Sequence, residues 1–301
     1  MTPSGSSGAS GLLVVANRKA GSGEQNAVGA AVEVLRTALP TEVRRTADRD
    51  ELCDVLAEAE GRIVVVAGGD GSVHAAVSAL RELGLLAATT LAIIPLGTGN
   101  DLARTFDLPL EPAPAAEAIL RGRVRTIDLI AGDDGGIAVN AVHVGVGAEA
   151  ALAAGRAKSA MGVVAYPLGA LAAGLRAKGW EIEVTLDGAL VEVGADRTLM
   201  VGIGNGATIG GGTALCPDAD PADGVLDVLV AAAPGPVDRL RFGLALRKGR
   251  HLERDHVRRA RGREVRIAGE PVRHNVDGEV SDPVADRTYR IEPGAWRLLA
   301  P

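Results

Sequence analysis

Residues 63–77, IVVVAGGDGSVHAAV, decide the fold. Five apolar residues without a polar interruption, IVVVA, make a strand buried on both faces. Gly68-Gly69-Asp70-Gly71 turns the chain. The stretch 72–83 then carries Val73, Ala76, Val77, Leu80 and Leu83 at spacings of three and four, one apolar helical face, with Ser72 as its cap. A strand that runs through a glycine turn into a helix is the repeating piece of a parallel α/β sheet. The glycines let the backbone approach a ligand, and the helix start offers N–H groups to an anion. A tight Gly/Asp turn with no ligand is the plain structural alternative. Asp70 would repel a phosphate unless a divalent cation lay near both.

The same grammar extends outward. Apolar strands are expected at 12–16 (LLVVA) and 91–94 (LAII), with helices at 26–38 and 50–60, and the alternation runs to about Thr126. A second strand-turn-helix, LAIIPLGTGNDLARTF, places Gly97, Thr98, Gly99 and Asn100 in the turn. Asp101 falls in the first helical turn, where the helix dipole alone would favour it. In a parallel sheet both turns lie at the carboxyl ends of neighbouring strands, where ligands bind. The loop after the first strand, Asn17-Arg18-Lys19-Ala20-Gly21-Ser22-Gly23, has cations and glycines without P-loop spacing, and reads as a further phosphate loop.

Beyond Asp128 the texture changes to short strands between glycine turns, such as 181–186 (EIEVTL) and 226–230 (LDVLV). The expected architecture is an α/β nucleotide-binding domain, a parallel sheet with helices on both faces, over 1–127. A β-rich domain, a C-terminal β-sandwich, follows over 128–284, and a tail, 285–301, returns to the first domain with a strand at TYRI. With 301 residues, 47% hydrophobic and 23% charged, the chain has room for two cores and is not disordered. Aromatics at 2% leave little to stack on bases, and a net charge of -6 argues against a polyanion binder, so no nucleic-acid partner is expected. Cys53 and Cys216 form neither a zinc motif nor a disulfide framework. The start, MTPSGSSGASG, lacks the features of a signal peptide, and 160–175 (AMGVVAYPLGALAAGL) falls short of the roughly 20 residues of a membrane span. Cytoplasmic residence is the default expectation.

GGDGS with PLGTGNDLAR resembles the nucleotide-binding region of the diacylglycerol kinase catalytic family, which includes bacterial lipid kinases and sphingosine kinases. The resemblance continues in order through NAVHVGVG (140–147), Gly204-Asn205-Gly206, Gly210-Gly211-Gly212, CPDADPADGVLDVLV (216–230) and Asn275-Val-Asp-Gly-Glu279. A lone GGDG also fits NAD kinases and 6-phosphofructokinases; the ordered set is what separates them. The resemblance implies an active site in a cleft between the two domains, with ATP as substrate, Mg2+, and a lipid hydroxyl as acceptor, diacylglycerol-like or sphingoid. It implies a phosphate loop from Asn17 through Arg18, Lys19 and Ala20 to Gly21, with Thr46 near the nucleotide. Gly69, Asp70, Gly71, Ser72, Val73, His74 and Ala75, with Thr98, would surround the phosphates. Asp70, Asp101, Asp128 and Asp277 would form a carboxylate and water network around catalytic magnesium. Asp223, with carbonyls near Asp220 and Val225, would hold a second, structural magnesium ion. Glu279 would be the general base, with Asp70 and Asp277 completing the catalytic set. Two departures are Ser72, where the family usually has Thr, and NRKAG, where an Asn-Pro form is usual.

The residues themselves agree. Read as an extended segment, Asp277 and Glu279 share a face, and Gly278 leaves room for substrate. A carboxylate is a weak base for an alcohol, a mismatch that a loose phosphoryl-transfer transition state tolerates. A hairpin turn is the alternative for these three residues. Asp218, Asp220, Asp223 and Asp227 give an oxygen-rich loop suited to hard cations, or a solvated acidic loop. His74, His143, His251, His256 and His274 show no paired metal spacing. Residues 239–266, expected to be partly helical, hold eleven Arg/Lys against three acids. This segment, or 160–175 flanked by Arg156, Lys158, Arg176 and Lys178, is expected to give peripheral, reversible contact with an anionic membrane. A homodimer is also an open expectation. The alternative readings are an NAD or sugar kinase sharing the GGDG architecture, and a catalytically silent nucleotide or lipid sensor.

Overall fold

The structure is a computed structural model that describes residues 10–59, 61–161, 178–194, 197–232 and 235–301. The chain divides into two compact units, Met1–Leu129 with Pro293–Pro301, and Ile130–Glu292.

The first unit is a parallel sheet. β1 (Leu12–Asn17) lies between β2 (Thr41–Thr46) and β3 (Ile63–Gly68), and β4 (Thr90–Pro95) follows β3. The end of β18 (Val284–Ala300) pairs parallel to β4 through Arg297 and Leu298. Helices α1 (Ser22–Arg36), α2 (Arg49–Ala57), α3 (Asp70–Glu82), α4 (Asp101–Thr105) and α5 (Pro112–Arg121) connect the strands. α1 packs with α5, and α2 with α3. Alternation divides the strands between two cores. Leu12, Val14, Ile63, Val65, Ala92 and Ile94 pack with Val28, Leu35 and Ile119 of α1 and α5. The intervening Leu13, Val15, Val64, Val66 and Ile93 are also buried. Both faces are therefore covered, as expected of uninterrupted apolar strands.

Two elements escape the sequence reading. β2 (TEVRRT) is a polar edge strand whose burial alternates, so no apolar run announces it. α5 begins at Pro112, which reads as punctuation yet is a favoured first helical residue because its missing N–H is not needed there.

The second unit is a β-sandwich. One antiparallel sheet runs β14 (Val257–Gly262), β13 (Leu226–Ala231), β10 (Met200–Gly204), β7 (Ala141–Gly145), β16 (His274–Val276), β17 (Glu279–Val280). Facing it are β15 (Glu264–Val272), β8 (Ile182–Leu186) with its neighbour β9 (Ala189–Leu190), and the first residues of β18, with β6 (Ile137–Ala138) paired to the end of β5 (Arg123–Gly132). A short ribbon pairs β11 (Thr208–Ile209) with β12 (Thr213–Ala214). Val142, Val144, Val201, Ile203 and Val228 from one sheet meet Val184, Val265, Ile267 and Tyr289 from the other. The outer face of the first sheet is covered by Phe242 of α7 (Pro236–Arg247) with Leu215 and Cys216. α6 (Val146–Met161) follows β7.

The basic stretch 239–266 is not one helical face. It breaks into α7, a 3-10 turn at His251–Glu253, β14 and the start of β15. Residues 162–175 of the apolar segment lie outside the described residues. No helix among the described residues is long and apolar enough to cross a membrane. Both cysteines are free thiols.

The tail is fastened by Trp296, fully buried, whose Nε1 donates to the Asp128 carbonyl at 3.1 Å. Trp296→Ala should lower unfolding free energy by about 3–5 kcal/mol in urea titration of the full chain. A loss below ~1 kcal/mol would mean that the tail contributes little to the first core.

Candidate functional site

In the first unit, β1, β3 and β4 run parallel, so the turns after them leave the sheet at one end. Helix α3 starts at Asp70 behind an extended Gly69, and no side chain caps it. Ser72 is therefore inside the first turn, a correction to its reading as the cap. Its Oγ and Cβ occupy the space that a Cβ on Gly68 would need, which explains Gly68. Helix α1 likewise starts behind Gly21 with no side-chain cap. Two uncapped helix starts beyond adjacent strands suit an anion.

Two glycine turns touch backbone to backbone. A Cβ on Gly97 would lie 2.7 Å from Gly69 Cα and 2.9 Å from Asn100 Oδ1, and one on Gly69 would lie 3.0 Å from Gly97 Cα. Asn100 closes its own turn, accepting from Gly97 N–H at 3.0 Å and donating to its carbonyl at 2.7 Å. It does so from the left-handed region, φ 52°, where Asn is tolerated. Asp70 Oδ1 accepts the Leu102 N–H at 3.1 Å, tying the start of α3 to the start of α4, which holds buried Asp101. The structure thus brings together Gly69, Asp70, Gly97, Asn100 and Asp101.

The remaining nucleotide-binding candidates occupy different settings. Asn17 Oδ1 accepts from Lys19 N–H, and Arg18 N–H donates to the Thr46 carbonyl, so β2 steadies this loop. The Arg18 guanidinium is turned to Glu51 and the Arg45 carbonyl. Val73 is buried in the core, so only its backbone can meet a ligand; Lys19, Gly71 and Thr98 are exposed, while Ala20, His74 and Ala75 are half-buried. Asp128 is buried, and its Oδ1 accepts from Gly294 N–H at 2.7 Å.

In the second unit, Asp277-Gly278 is a hairpin turn between β16 and β17, with Val276 opposite Glu279. The extended reading of 277–279 is corrected: Asp277 and Gly278 have φ of 48° and 102°, and such positive angles favour Asp-Gly in two-residue hairpins. A Cβ on Gly278 would meet nothing within 4 Å, so its need is conformational rather than spatial. The Asp277 carboxylate turns back to the 139–141 backbone. It accepts from Val139 N–H at 2.6 Å, Asn140 N–H at 3.0 Å and Ala141 N–H at 2.9 Å, while its own N–H donates to the Ala141 carbonyl. Glu279 projects exposed from the far arm of this hairpin.

Behind the turn, Asn140 Nδ2 donates to the Thr208 carbonyl and Asn205 Nδ2 to that of Val139, both at 2.8 Å. Asn140 Oδ1 is buried with no hydrogen-bond partner among the described residues. Asn140 and Asn205 both stand in motifs that carry the resemblance, but no role follows for them from the sequence. No local pattern announces these bonds, because the partners lie 66 and 68 residues away.

Among the described residues no three His, Cys, Asp or Glu side chains are grouped to hold a metal ion. Magnesium commonly uses one or two carboxylates together with substrate phosphates and water. Asp70 and Asp101, oxygen donors beside an uncapped helix start, fit that mode.

The chain matches the diacylglycerol kinase catalytic domain over residues 11–131 and the YegS C-terminal NAD kinase beta sandwich-like domain over 140–300. It is 34% identical over 243 residues to a protein named "Diacylglycerol kinase" from Mycobacterium tuberculosis (strain ATCC 25618 / H37Rv), covering 79% of this chain and 76% of the relative. It is 35% identical over 297 residues to "Probable lipid kinase YegS-like" of Pseudomonas aeruginosa (strain UCBPP-PA14), covering 96% and 94%. Its fold resembles the crystal structure of a diacylglycerol kinase from Bacillus anthracis str. Sterne, with a TM-score of 0.75, 24% identity and 97% of both chains covered.

The second unit also predicts an acid limit. Burial pushes His143 down to about 4, against a weaker upward pull from Asp277. Burial, helped by Arg287, likewise pushes His274 down to about 4. An exposed imidazole takes up its proton near 6.5. Between about pH 6.5 and pH 4 the unfolded chain therefore binds more protons than the folded one, and stability falls as pH drops through that window. Urea midpoints should decrease on acidification there, less steeply in His143→Gln; a rising midpoint would contradict the burial of these rings.

Proposed function

Because the chain belongs to the diacylglycerol kinase catalytic family, we propose that it transfers the terminal phosphate of ATP to a lipid hydroxyl. What carries the reading is the succession of both family domains along one chain, together with the uncapped helix starts beyond β1 and β3. An NAD or sugar kinase would share the glycine turns without the later ordered motifs.

The N–H groups at the starts of α1 and α3, with the 17–21 loop and Thr98, would hold the nucleotide phosphates. Gly69 and Gly97 let the two turns close on each other, while Gly21 and Gly71, where a Cβ would meet nothing within 4 Å, leave the helix starts open to a phosphate. Asp70 and Asp101 would hold magnesium, which when bound would neutralise charge building on the phosphates. Asp128 and Asp277 act in this reading as braces, the first on Gly294 and the second on 139–141, rather than as direct metal ligands. Glu279 would accept the proton of the acceptor hydroxyl at a carboxylate oxygen, with the hairpin fixed by Asp277 setting its position. The acceptor is a diacylglycerol-like or sphingoid lipid.

Reaching such a lipid requires contact with a bilayer. Val237 and Leu244, 57% and 51% exposed on α7, share a helical side with Arg241, a combination suited to an anionic interface. Flotation with anionic vesicles should recover more protein than flotation with neutral ones; equal recovery would contradict this contact.

Glu279→Gln should lower kcat by about 10²–10⁴ with an unchanged Tm. Asp70→Asn retains an oxygen for the Leu102 amide while removing the charge, and should cost about 10²–10³ in kcat. ATP consumption with a panel of diacylglycerol, sphingoid and phospholipid acceptors reads both variants. Full activity in either would overturn the assigned roles.

A further inference from the structure

Two stretches that look unrelated in sequence, the acidic 216–227 and the basic 239–266, meet within the second unit. β13 and β14 pair antiparallel with Asp227 directly opposite Arg261 and Leu229 opposite Arg259. Two residues apart on one strand, the arginines share a face. Both reach the acidic loop leading into β13. Arg259 Nη1 lies 2.7 Å from Asp218 Oδ2. Arg261 donates from Nη2 to Asp223 Oδ2 and from Nε to Asp227 Oδ2, the latter at 3.3 Å.

Two further carboxylate oxygens of the loop are engaged by its own backbone. Asp223 Oδ1 accepts the Val225 N–H and Asp220 Oδ1 the Ala222 N–H, both at 3.1 Å. Both oxygens of Asp223, the one side chain in the donor set that the resemblance implies for a second, structural cation, are thus already held, and that carboxylate does not fit a cation here. A divalent ion on Asp223 would face a guanidinium bonded to the same carboxylate, and like charges at that range repel. Guanidinium is suited to the place: it is always charged at ordinary pH and its fork can serve two carboxylates together. Asp227, whose side chain is 9% exposed, needs such a partner, since a buried carboxylate without one is costly.

We infer that Arg261 stands in for the second cation, a counter-charge built into the chain that binds Asp223 to Asp227 and makes this loop independent of divalent metal. The inference does not rest on the kinase reading, because it concerns the integrity of the sandwich rather than turnover.

Thermal unfolding of the full chain without nucleotide, in EDTA and in millimolar Mg2+ or Ca2+, tests it. The Tm shift produced by the cation should be the same in wild type and Asp223→Asn. Arg261→Met should lose at least ~3 °C in EDTA, regain it with the cation, and lose that rescue in the double variant with Asp223→Asn. A cation-induced shift in wild type that Asp223→Asn abolishes would overturn the inference. So would an Arg261→Met protein as stable in EDTA as wild type. Should Arg261→Met fail to fold, the comparison of wild type with Asp223→Asn decides alone.

Discussion

Where Gly69 and Gly97 meet, two chain segments touch with no side chain between them, and the first unit's candidate site depends on that contact. It holds the turn after β3 against the turn after β4, and the Asp70 carboxylate then joins the helices that follow through the Leu102 amide. The result sets exposed backbone at Gly71, Gly97 and Thr98 beside half-buried Asp70 and buried Asp101, on a parallel sheet packed on both faces. Such a surface can recognise phosphate with few side chains, which suits a chain so poor in aromatics.

The second unit solves a related problem differently. Its carboxylates are spent on geometry: Asp277 gathers three amides and fixes a hairpin, while Asp223 and Asp227 share one guanidinium. An acidic residue in a motif can thus be a ligand-facing group or an internal fastener. The deciding fact is which donors its oxygens already hold.

This distinction marks what could be read from sequence. The strand-turn-helix pieces around 63–77 and 91–106 were legible because burial, period and glycine turns are local signals. The role of Asp70 as a tie to Leu102, 32 residues away, was not, because no local pattern encodes that distance. Strand alternation does not hold at Asp277, because positive φ at Asp277 and Gly278 breaks the extended geometry it requires. β2 was hidden by its polar edge. The link between the acidic loop and the basic strand was hidden because only strand register, not sequence separation, places Arg261 opposite Asp227.

Phosphate transfer to a lipid alcohol is tested by following the phosphate itself. Purified protein, ATP labelled at its terminal phosphate and a total lipid extract should yield label in an organic-soluble phosphate monoester. Label confined to water-soluble products, or none transferred beyond hydrolysis, would contradict it.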